Sequence, residues 1–250
     1  MGNINTYLKW RGDLTFTERS FCEADNLALA ILSYLNFSQI VDSGEQEISI
    51  KSAYEKYHLL GWELPFQCGL YEELFRNLAM SRRFGNARLS FYREIFSEES
   101  TTQFAAVQIA LEDGSFYLAF RGTDDSIIGW QEDFQMGSAV IPAQREAVRY
   151  LNEVMCPGKI YRIGGHSKGG NLSLYSALHC REELKGSIFE VYNNDGPGLS
   201  SDIVEQERFA QVEKKLFWII PEYSVIGTLF PYRFFLNLLY SFFASNLRFL

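Results

Sequence analysis

Hydrophobic residues in the first hundred positions recur at helical spacing. A helix capped by Asp25 is predicted, and its apolar residues share one face: Leu27, Ile31, Leu32 and Leu35. A second helix is predicted over residues 71–82, where Gly85-Asn86 ends it and the buried side carries Leu74, Phe75 and Leu78. Residues 3–21 show no regular period, and we expect this segment to be irregular.

From residue 104 onward, short apolar runs alternate with amphipathic segments. Strands are predicted over 104–111 and 115–121, and Glu112-Asp113-Gly114 between them is a tight-turn sequence. The segments that follow alternate in type: a helix over 143–155, a strand over 159–164, a helix over 169–181, a strand over 187–192, a helix over 201–212 and a strand over 215–220. This alternation is typical of an α/β fold, here a mostly parallel sheet with helices on both faces.

The whole chain of 250 residues is predicted to form one domain. Its parts are a helical part over about residues 1–100, a core over about 101–230, and an aromatic tail over about 231–250. From Val225 to Leu250 there is no acidic residue, and the apolar run 234–247 is shorter than the roughly 20 residues that span a bilayer. The tail is therefore open to three interpretations: a core helix, a peripheral membrane contact, or an abnormal chain end.

Composition and charge narrow the function classes. Apolar residues make up 47% of the chain and charged residues 22%, as in ordinary globular proteins. The net charge is -8 and the basic residues are scattered, so no nucleic-acid partner is expected. The four cysteines form no C-x-x-C pair, and the charged first twenty residues contain no signal peptide, which together favour the cytoplasm. No metal or nucleotide motif is present, so no cofactor is expected.

The pentapeptide Gly165-His166-Ser167-Lys168-Gly169 is the main candidate for chemistry. It follows a predicted strand and opens a predicted helix, which is the context that a G-x-S-x-G nucleophile elbow requires. In such an elbow the serine occupies a strained turn and projects above the carboxyl ends of the strands. Gly165 and Gly169 are predicted to let the strand and the helix pass close together, because neither has a Cβ.

Several motifs give the chain a resemblance to a known family. The run His-Ser-Lys-Gly-Gly at 166–170, preceded by Phe-Arg-Gly-Thr-Asp at 120–124, resembles the class 3 lipase superfamily, and more closely a bacterial branch of lipase-like α/β hydrolases. The similarity includes the runs at 7–13, 193–198 and 220–227 and extends to about Phe230. It implies a serine hydrolase of carboxylic esters, lipase-like or esterase-like, acting on a small-molecule or lipid ester.

The resemblance also implies roles for individual residues. Ser167 corresponds to the nucleophile, and the backbone N–H groups of Thr123 and Lys168 correspond to the oxyanion hole. Arg121 and Asp133 correspond to a structural pair that holds the loop after the strand. The Lys168 side chain is expected to lie in solvent, with only its backbone contributing.

The acid and the base are less well defined. The order in this fold is serine, acid, histidine, so Glu222 after the last predicted strand is the candidate acid and Asp195 is the alternative. All three histidines, His58, His166 and His179, precede Glu222. His166 is expected to be packed or hydrogen-bonded within the elbow. His179 is expected about 18 Å along the following helix.

The absence of a suitably ordered histidine leaves two hypotheses. In the family a histidine would follow Gly227, where this sequence has its aromatic tail. We therefore expect either a chain truncated or frame-shifted at its C-terminus, or a natural non-catalytic relative. The second case would be a pseudoenzyme or binding protein that retains the hydrolase pocket.

Overall fold

Seven strands among the described residues form one sheet in which spatial order follows chain order. The computed structural model describes residues 3–60, 68–99, 101–123, 136, 139–199, 206–224 and 226–229. The strands are β1 (Ile48–Ser49), β2 (Arg88–Ser97), β3 (Thr102–Ala110), β4 (Phe116–Phe120), β5 (Tyr161–His166), β6 (Ile188–Asn194) and β7 (Leu216–Ile219). The described residues also contain eight α-helices: α1 (Ile4–Arg11), α2 (Glu23–Leu32), α3 (Ile50–Leu59), α4 (Cys68–Met80), α5 (Pro142–Val154), α6 (Lys168–His179), α7 (Glu182–Lys185) and α8 (Gln206–Val212).

The sheet is mixed, and this corrects the expectation of a mostly parallel one. The pairs β1–β2, β2–β3 and β3–β4 are antiparallel, whereas β4–β5, β5–β6 and β6–β7 are parallel. For β2–β3 and β3–β4 the reason is connection length, whereas β1 and β2 are joined through α3 and α4. Short turns join β2 to β3 and β3 to β4, and a short turn can only reverse the chain, whereas a parallel pair needs a crossover. The α/β architecture itself is confirmed.

Helices cover both faces of the sheet, as predicted. Along β4, Tyr117 and Ala119 contribute to one hydrophobic cluster, and Leu118 and Phe120 contribute to the other. This alternation follows from the two-residue period of a strand. Helices α1 to α4 bury their apolar residues in the first cluster, and α5, α6 and α8 bury theirs in the second. The N-terminal helices therefore pack directly on the sheet that carries the candidate site.

The predicted elements lie within a few residues of the observed ones, but five elements were missed: α1, α3, α7, β1 and β2. The segment expected to be irregular contains α1, which Asn3 caps by accepting a hydrogen bond from Thr6 N at 3.0 Å. Similarly, the Ser49 hydroxyl caps α3. The strand β2 was not predicted either. The first part of the helix predicted over 201–212 and the aromatic tail lie outside the described residues.

A buried ion pair fixes the N-terminal segment to the rest of the fold. Arg83 follows α4 and Asp25 lies in the first turn of α2, and both side chains are inaccessible to solvent. The guanidinium donates to both carboxylate oxygens, with Nε to Oδ1 at 2.7 Å and Nη2 to Oδ2 at 2.6 Å. It also donates to four main-chain carbonyls of the connection between α1 and α2, those of Leu14, Thr15, Arg19 and Ser20.

Loss of this pair should destabilise the fold strongly. We expect Arg83→Met to lower the free energy of unfolding by about 3 to 5 kcal/mol, because the Asp25 charge would remain buried without its partner. The matched control is Arg82→Met. Arg82 is exposed and pairs with Glu18 on the surface, so its removal should cost less than about 1 kcal/mol. Urea denaturation of both variants tests the difference, and equal losses would contradict the prediction.

Candidate active site

Ser167 lies at a sharp turn between β5 and α6, where the sequence predicted it. Its backbone has φ 56° and ψ −125°, an unfavourable region for a residue with a side chain. Two main-chain hydrogen bonds hold the turn: Ser167 N donates to Asn194 O at 2.9 Å, and Gly170 N donates to Ser167 O at 2.9 Å. The first bond continues the parallel β5–β6 pairing, so the strained residue is held by the sheet itself.

Glycines make this turn sterically feasible. A Cβ at Gly165 would lie 2.5 Å from the carbonyl oxygens of both Gly169 and Phe120. A Cβ at Gly169 would strike the Phe120 carbonyl as well. Because all of these obstructing atoms belong to the main chain, no side-chain rearrangement can relieve the overlap. The first turn of α6 therefore lies directly against the ends of β4 and β5.

This close contact predicts that a side chain at position 165 lowers the stability of the fold. We expect Gly165→Ala to lower the free energy of unfolding by about 3 kcal/mol, since the added methyl group would force backbone atoms apart. Gly186→Ala is the matched control, because nothing lies within 4 Å of a Cβ there. That variant should be neutral or slightly stabilising. Thermal and urea unfolding measure the stability of both variants, and equal stabilities would contradict the prediction.

A network of buried hydrogen bonds, mostly between side-chain amides, holds the strand ends that precede the elbow. Asn194, at the end of β6, donates through Nδ2 to the Gly165 carbonyl at 2.9 Å. Its side-chain amide also exchanges two hydrogen bonds with Asn26 of α2, at 2.7 and 3.1 Å. The Tyr117 hydroxyl donates to Asn26 Oδ1 at 2.7 Å. Thus α2 and β4 together fix the strand end from which Ser167 projects.

His166 is hydrogen-bonded within the elbow, which confirms the expectation for this residue. Its Nδ1 lies 2.9 Å from the Tyr34 hydroxyl. Burial lowers the pKa of the imidazole to about 4, so the ring is neutral at physiological pH. Gly122, after β4, lies against the same pair, because a Cβ there would meet the Tyr34 hydroxyl and would lie 2.5 Å from the His166 carbonyl. The loop after β4 thus reaches the elbow.

The neutral histidine should make stability depend on pH. The unfolded chain binds a proton near pH 6.5, whereas folded His166 does so only near pH 4. Acidification across this window therefore favours the unfolded state, by up to about 3 kcal/mol. We expect the difference in stability between pH 7 and pH 4 to shrink by this amount in His166→Asn. NMR titration of the imidazole provides a direct check, and a midpoint near 6.5 would contradict the assignment.

The Lys168 side chain is buried, which corrects the expectation that it lies in solvent. Only 1% of the residue is exposed. Its ammonium group donates to the main-chain oxygen of Gln103 at 2.9 Å and to the side-chain oxygen at 3.0 Å. Gln103 lies near the start of β3, which antiparallel pairing places beside the end of β4. Lys168 thus links the first turn of α6 to the start of β3, beside the end of β4, where the loop that contains Thr123 begins.

The remaining residues implied for the oxyanion loop are only partly described. Thr123 directly follows Gly122 and is therefore close in sequence to the contact with His166. Arg121 is largely buried and forms an ion pair with Glu94 of β2, with Nη1 and Oε1 2.7 Å apart. Asp133, its expected partner, lies outside the described residues.

The two candidate acids have different environments. Asp195 follows β6 directly, and its Oδ1 accepts hydrogen bonds from the Ser224 hydroxyl and from Gly227 N, the latter at 3.1 Å. Burial raises the pKa of this carboxyl above its usual value. Glu222 is exposed, and its carboxylate forms no hydrogen bond or ion pair with a described residue. The structure therefore holds Asp195 beside the elbow and leaves Glu222 in solvent.

Neither remaining histidine forms a hydrogen bond with Ser167. His179 is the last residue of α6, about 18 Å along the helix, and its ring lies 4.3 Å from that of Tyr175. His58 is exposed on α3, which follows the edge strand β1, and its ring contacts Tyr54. In the described part of the chain, no side chain forms a hydrogen bond with the Ser167 hydroxyl.

The described residues contain neither a metal-binding cluster nor a membrane-spanning helix. No group of three or more His, Cys, Asp or Glu side chains there is arranged to hold a metal ion. No helix in those ranges is long and apolar enough to cross a membrane.

Sequence reasoning missed residues that act through long-range hydrogen bonds. Asn26 and Tyr34 come from the N-terminal part, more than 130 positions from the residues that they contact at the elbow. Ser224 lies in a motif that the sequence marked, yet its bond to Asp195 was not foreseen. The only local signal was the run of polar residues, Asn193-Asn194-Asp195, at the end of an apolar strand.

Comparison with known proteins places these features in context. The structure is similar to one described as the crystal structure of M37 lipase, with 16% sequence identity and a TM-score of 0.46. The match covers 76% of this chain and 64% of that chain, so this chain spans less than two thirds of the lipase.

The sequence comparisons identify the family. No curated protein matches the chain significantly. The family model described as Mbeg1-like matches residues 78–238, which include the elbow, both candidate acids and the loop after β4. This match extends over more than half of the sequence, and the chain belongs to the Mbeg1-like family.

Proposed function

We propose that this protein is a serine hydrolase of carboxylic esters in which Ser167 is the nucleophile. One observation carries the proposal: Ser167 occupies a strained backbone conformation at a strand-to-helix turn, and main-chain contacts at Gly165 and Gly169 enforce it. A serine in an ordinary surface turn would be expected to have an unstrained backbone conformation. The lipase-like motifs support an ester of a small molecule or lipid as the substrate class. Residues from about 1 to 230 would form one hydrolase domain.

The chemistry follows from the position of the serine. The Ser167 Oγ would attack the ester carbonyl carbon while its proton passes to a base. The new carbon–oxygen bond moves an electron pair onto the carbonyl oxygen. That oxyanion would be stabilised by the N–H groups of Thr123 and Lys168 and by the N-terminal end of α6. Collapse expels the alcohol, which takes the proton from the base, and water then releases the acid from the acyl-enzyme by the same steps.

Asp195 is the better candidate for the orienting acid. It follows the strand next to β5, and one of its oxygens is already fixed by Ser224 and Gly227. Its second oxygen forms no hydrogen bond with a described residue, so it is available to a base. Glu222, the first choice from the sequence, is exposed, and no described residue holds its carboxylate in place.

No described contact places any of the three histidines as the base. His166 binds Tyr34, His179 lies about 18 Å along α6 from Ser167, and His58 is exposed on α3, which follows the edge strand β1. We therefore expect the 250-residue chain to hydrolyse p-nitrophenyl acetate poorly, and Ser167→Ala to change this little, because loss of a triad member costs about 10⁴-fold in rate. Added imidazole should restore turnover, since it can take the proton while Asp195 orients it.

The measurement compares turnover against imidazole concentration for four proteins. Imidazole cleaves the ester slowly by itself, so Ser167→Ala defines the background, and Ser38→Ala is an exposed serine control. We expect rescue in the wild type, Ser38→Ala and His58→Ala, but none in Ser167→Ala. Labelling by a fluorophosphonate probe should follow the same pattern. Robust turnover without imidazole that His58→Ala abolishes would identify an unexpected base.

A non-catalytic binding protein is the second candidate, and the lack of a suitably placed histidine favours it. In that case the pocket would hold an ester or lipid without turnover. The same experiment separates the two functions: an absence of Ser167-dependent rescue and of probe labelling would reject the hydrolase and support the binding protein.

A further inference from the structure

Asn171 lies one turn after Ser167 in α6 and is completely buried. Its Nδ2 donates to two successive main-chain carbonyls, those of Pro197 at 3.1 Å and Gly198 at 2.9 Å. Its Oδ1 accepts a hydrogen bond from Gln144 Nε2 of α5 at 2.8 Å. Both donors of the amide and one acceptor position are therefore used. The amide joins the helix that follows the nucleophile to the loop that follows Asp195.

That loop is packed tightly on the first turn of α6. A Cβ at Gly196 would lie 2.5 Å from the Ser167 carbonyl oxygen and 2.8 Å from Asn171 N. Gly196 N donates to Asn193 Oδ1 at 2.8 Å, which closes the turn on the side of β6. Asp195 itself has a left-handed backbone with φ 55°, a conformation that aspartate tolerates better than most residues.

The loop is held at both ends. On one side, Asp195 N donates to Ile219 O at 2.8 Å, which ties the residue to β7. On the other side, the only side chain among the described residues that binds the Pro197 and Gly198 carbonyls is Asn171. Asp195 forms the first attachment itself and lies two residues before the second, so the distance from its carboxylate to Ser167 depends on both.

From this arrangement we propose that Asn171 is a positioning residue that sets the Asp195 carboxylate against Ser167. The inference rests on the proposed function, because it assigns Asp195 the role of orienting the base. Asn171 touches neither substrate nor base and acts through the loop 195–198. Without its two donors, the Pro197 and Gly198 carbonyls would lose their partners and the loop would shift, and a displacement of about 1 Å can lower a rate about 100-fold.

A purely structural role for Asn171 would have different consequences. Any buried amide that loses its hydrogen bonds lowers stability, by about 1 to 3 kcal/mol. Such a loss would not alter the kinetics of a protein assayed well below its melting temperature. The readout must therefore be kinetic and must depend on Asp195. A double-mutant cycle between the two residues meets both conditions.

The experiment measures the slope of turnover against imidazole concentration, together with KM for p-nitrophenyl acetate. The proteins are the wild type, Asn171→Leu, Asp195→Asn and the double variant. Gln108→Leu is the matched control, because Gln108 is a buried amide on β3 that donates to Ser90 within the sheet. Asn171→Ser serves as a second variant if Asn171→Leu does not give folded protein by circular dichroism.

We expect Asn171→Leu to lower the slope about tenfold or more with KM nearly unchanged, while Gln108→Leu leaves both unchanged. In the Asp195→Asn background, Asn171→Leu should have no further effect. An unchanged slope in Asn171→Leu, or an equal loss in both backgrounds, would overturn the inference while leaving the proposed function intact. An absence of Ser167-dependent rescue in the wild type would instead reject the proposed function and the inference together.

Discussion

The contact between the Gly165 main chain and the main chains of Gly169 and Phe120 is the constraint on which the candidate site depends. Because these backbones touch, α6 begins directly after the carboxyl end of β5, without an intervening loop. Ser167 is the one residue available for the reversal, and it takes a conformation that side-chain-bearing residues avoid. The resulting geometry aims the N–H groups at the start of α6 toward the space above the strands.

Buried amides maintain much of this geometry. Asn26, Asn194 and Asn171 are fully buried, and each is hydrogen-bonded to main-chain atoms or to another amide near the elbow. An amide can donate and accept at once and carries no charge to desolvate, so it joins backbones at lower cost than an ion pair. The ion pair Arg83–Asp25 acts elsewhere in the fold, because it holds the irregular connection between α1 and α2, where many carbonyls need donors.

Much of the fold could be predicted from the sequence because it depends on local periodicity. The helix α6 and the strands β3 to β7 have clear apolar spacing, and the turn at Gly114 is marked by its residue types. The helix α1 was missed because its stability comes from the Asn3 cap and from packing of Ile4 and Leu8 on distant residues. The burial of the Lys168 side chain was also unpredictable, since it depends on a carbonyl 65 positions away.

The choice between the two candidate acids likewise depends on contacts between residues distant in sequence. Chain order favoured Glu222, because it follows β7, the last predicted strand. The hydrogen bonds in the structure instead favour Asp195, which follows β6. The two positions are coupled: the turn that carries Glu222 returns through Ser224 and Gly227 to bind Asp195. The segment after β7 therefore orders the carboxylate after β6. A base that reaches Ser167 and Asp195 together would complete a geometry that the main chain, the glycines and the buried amides already fix.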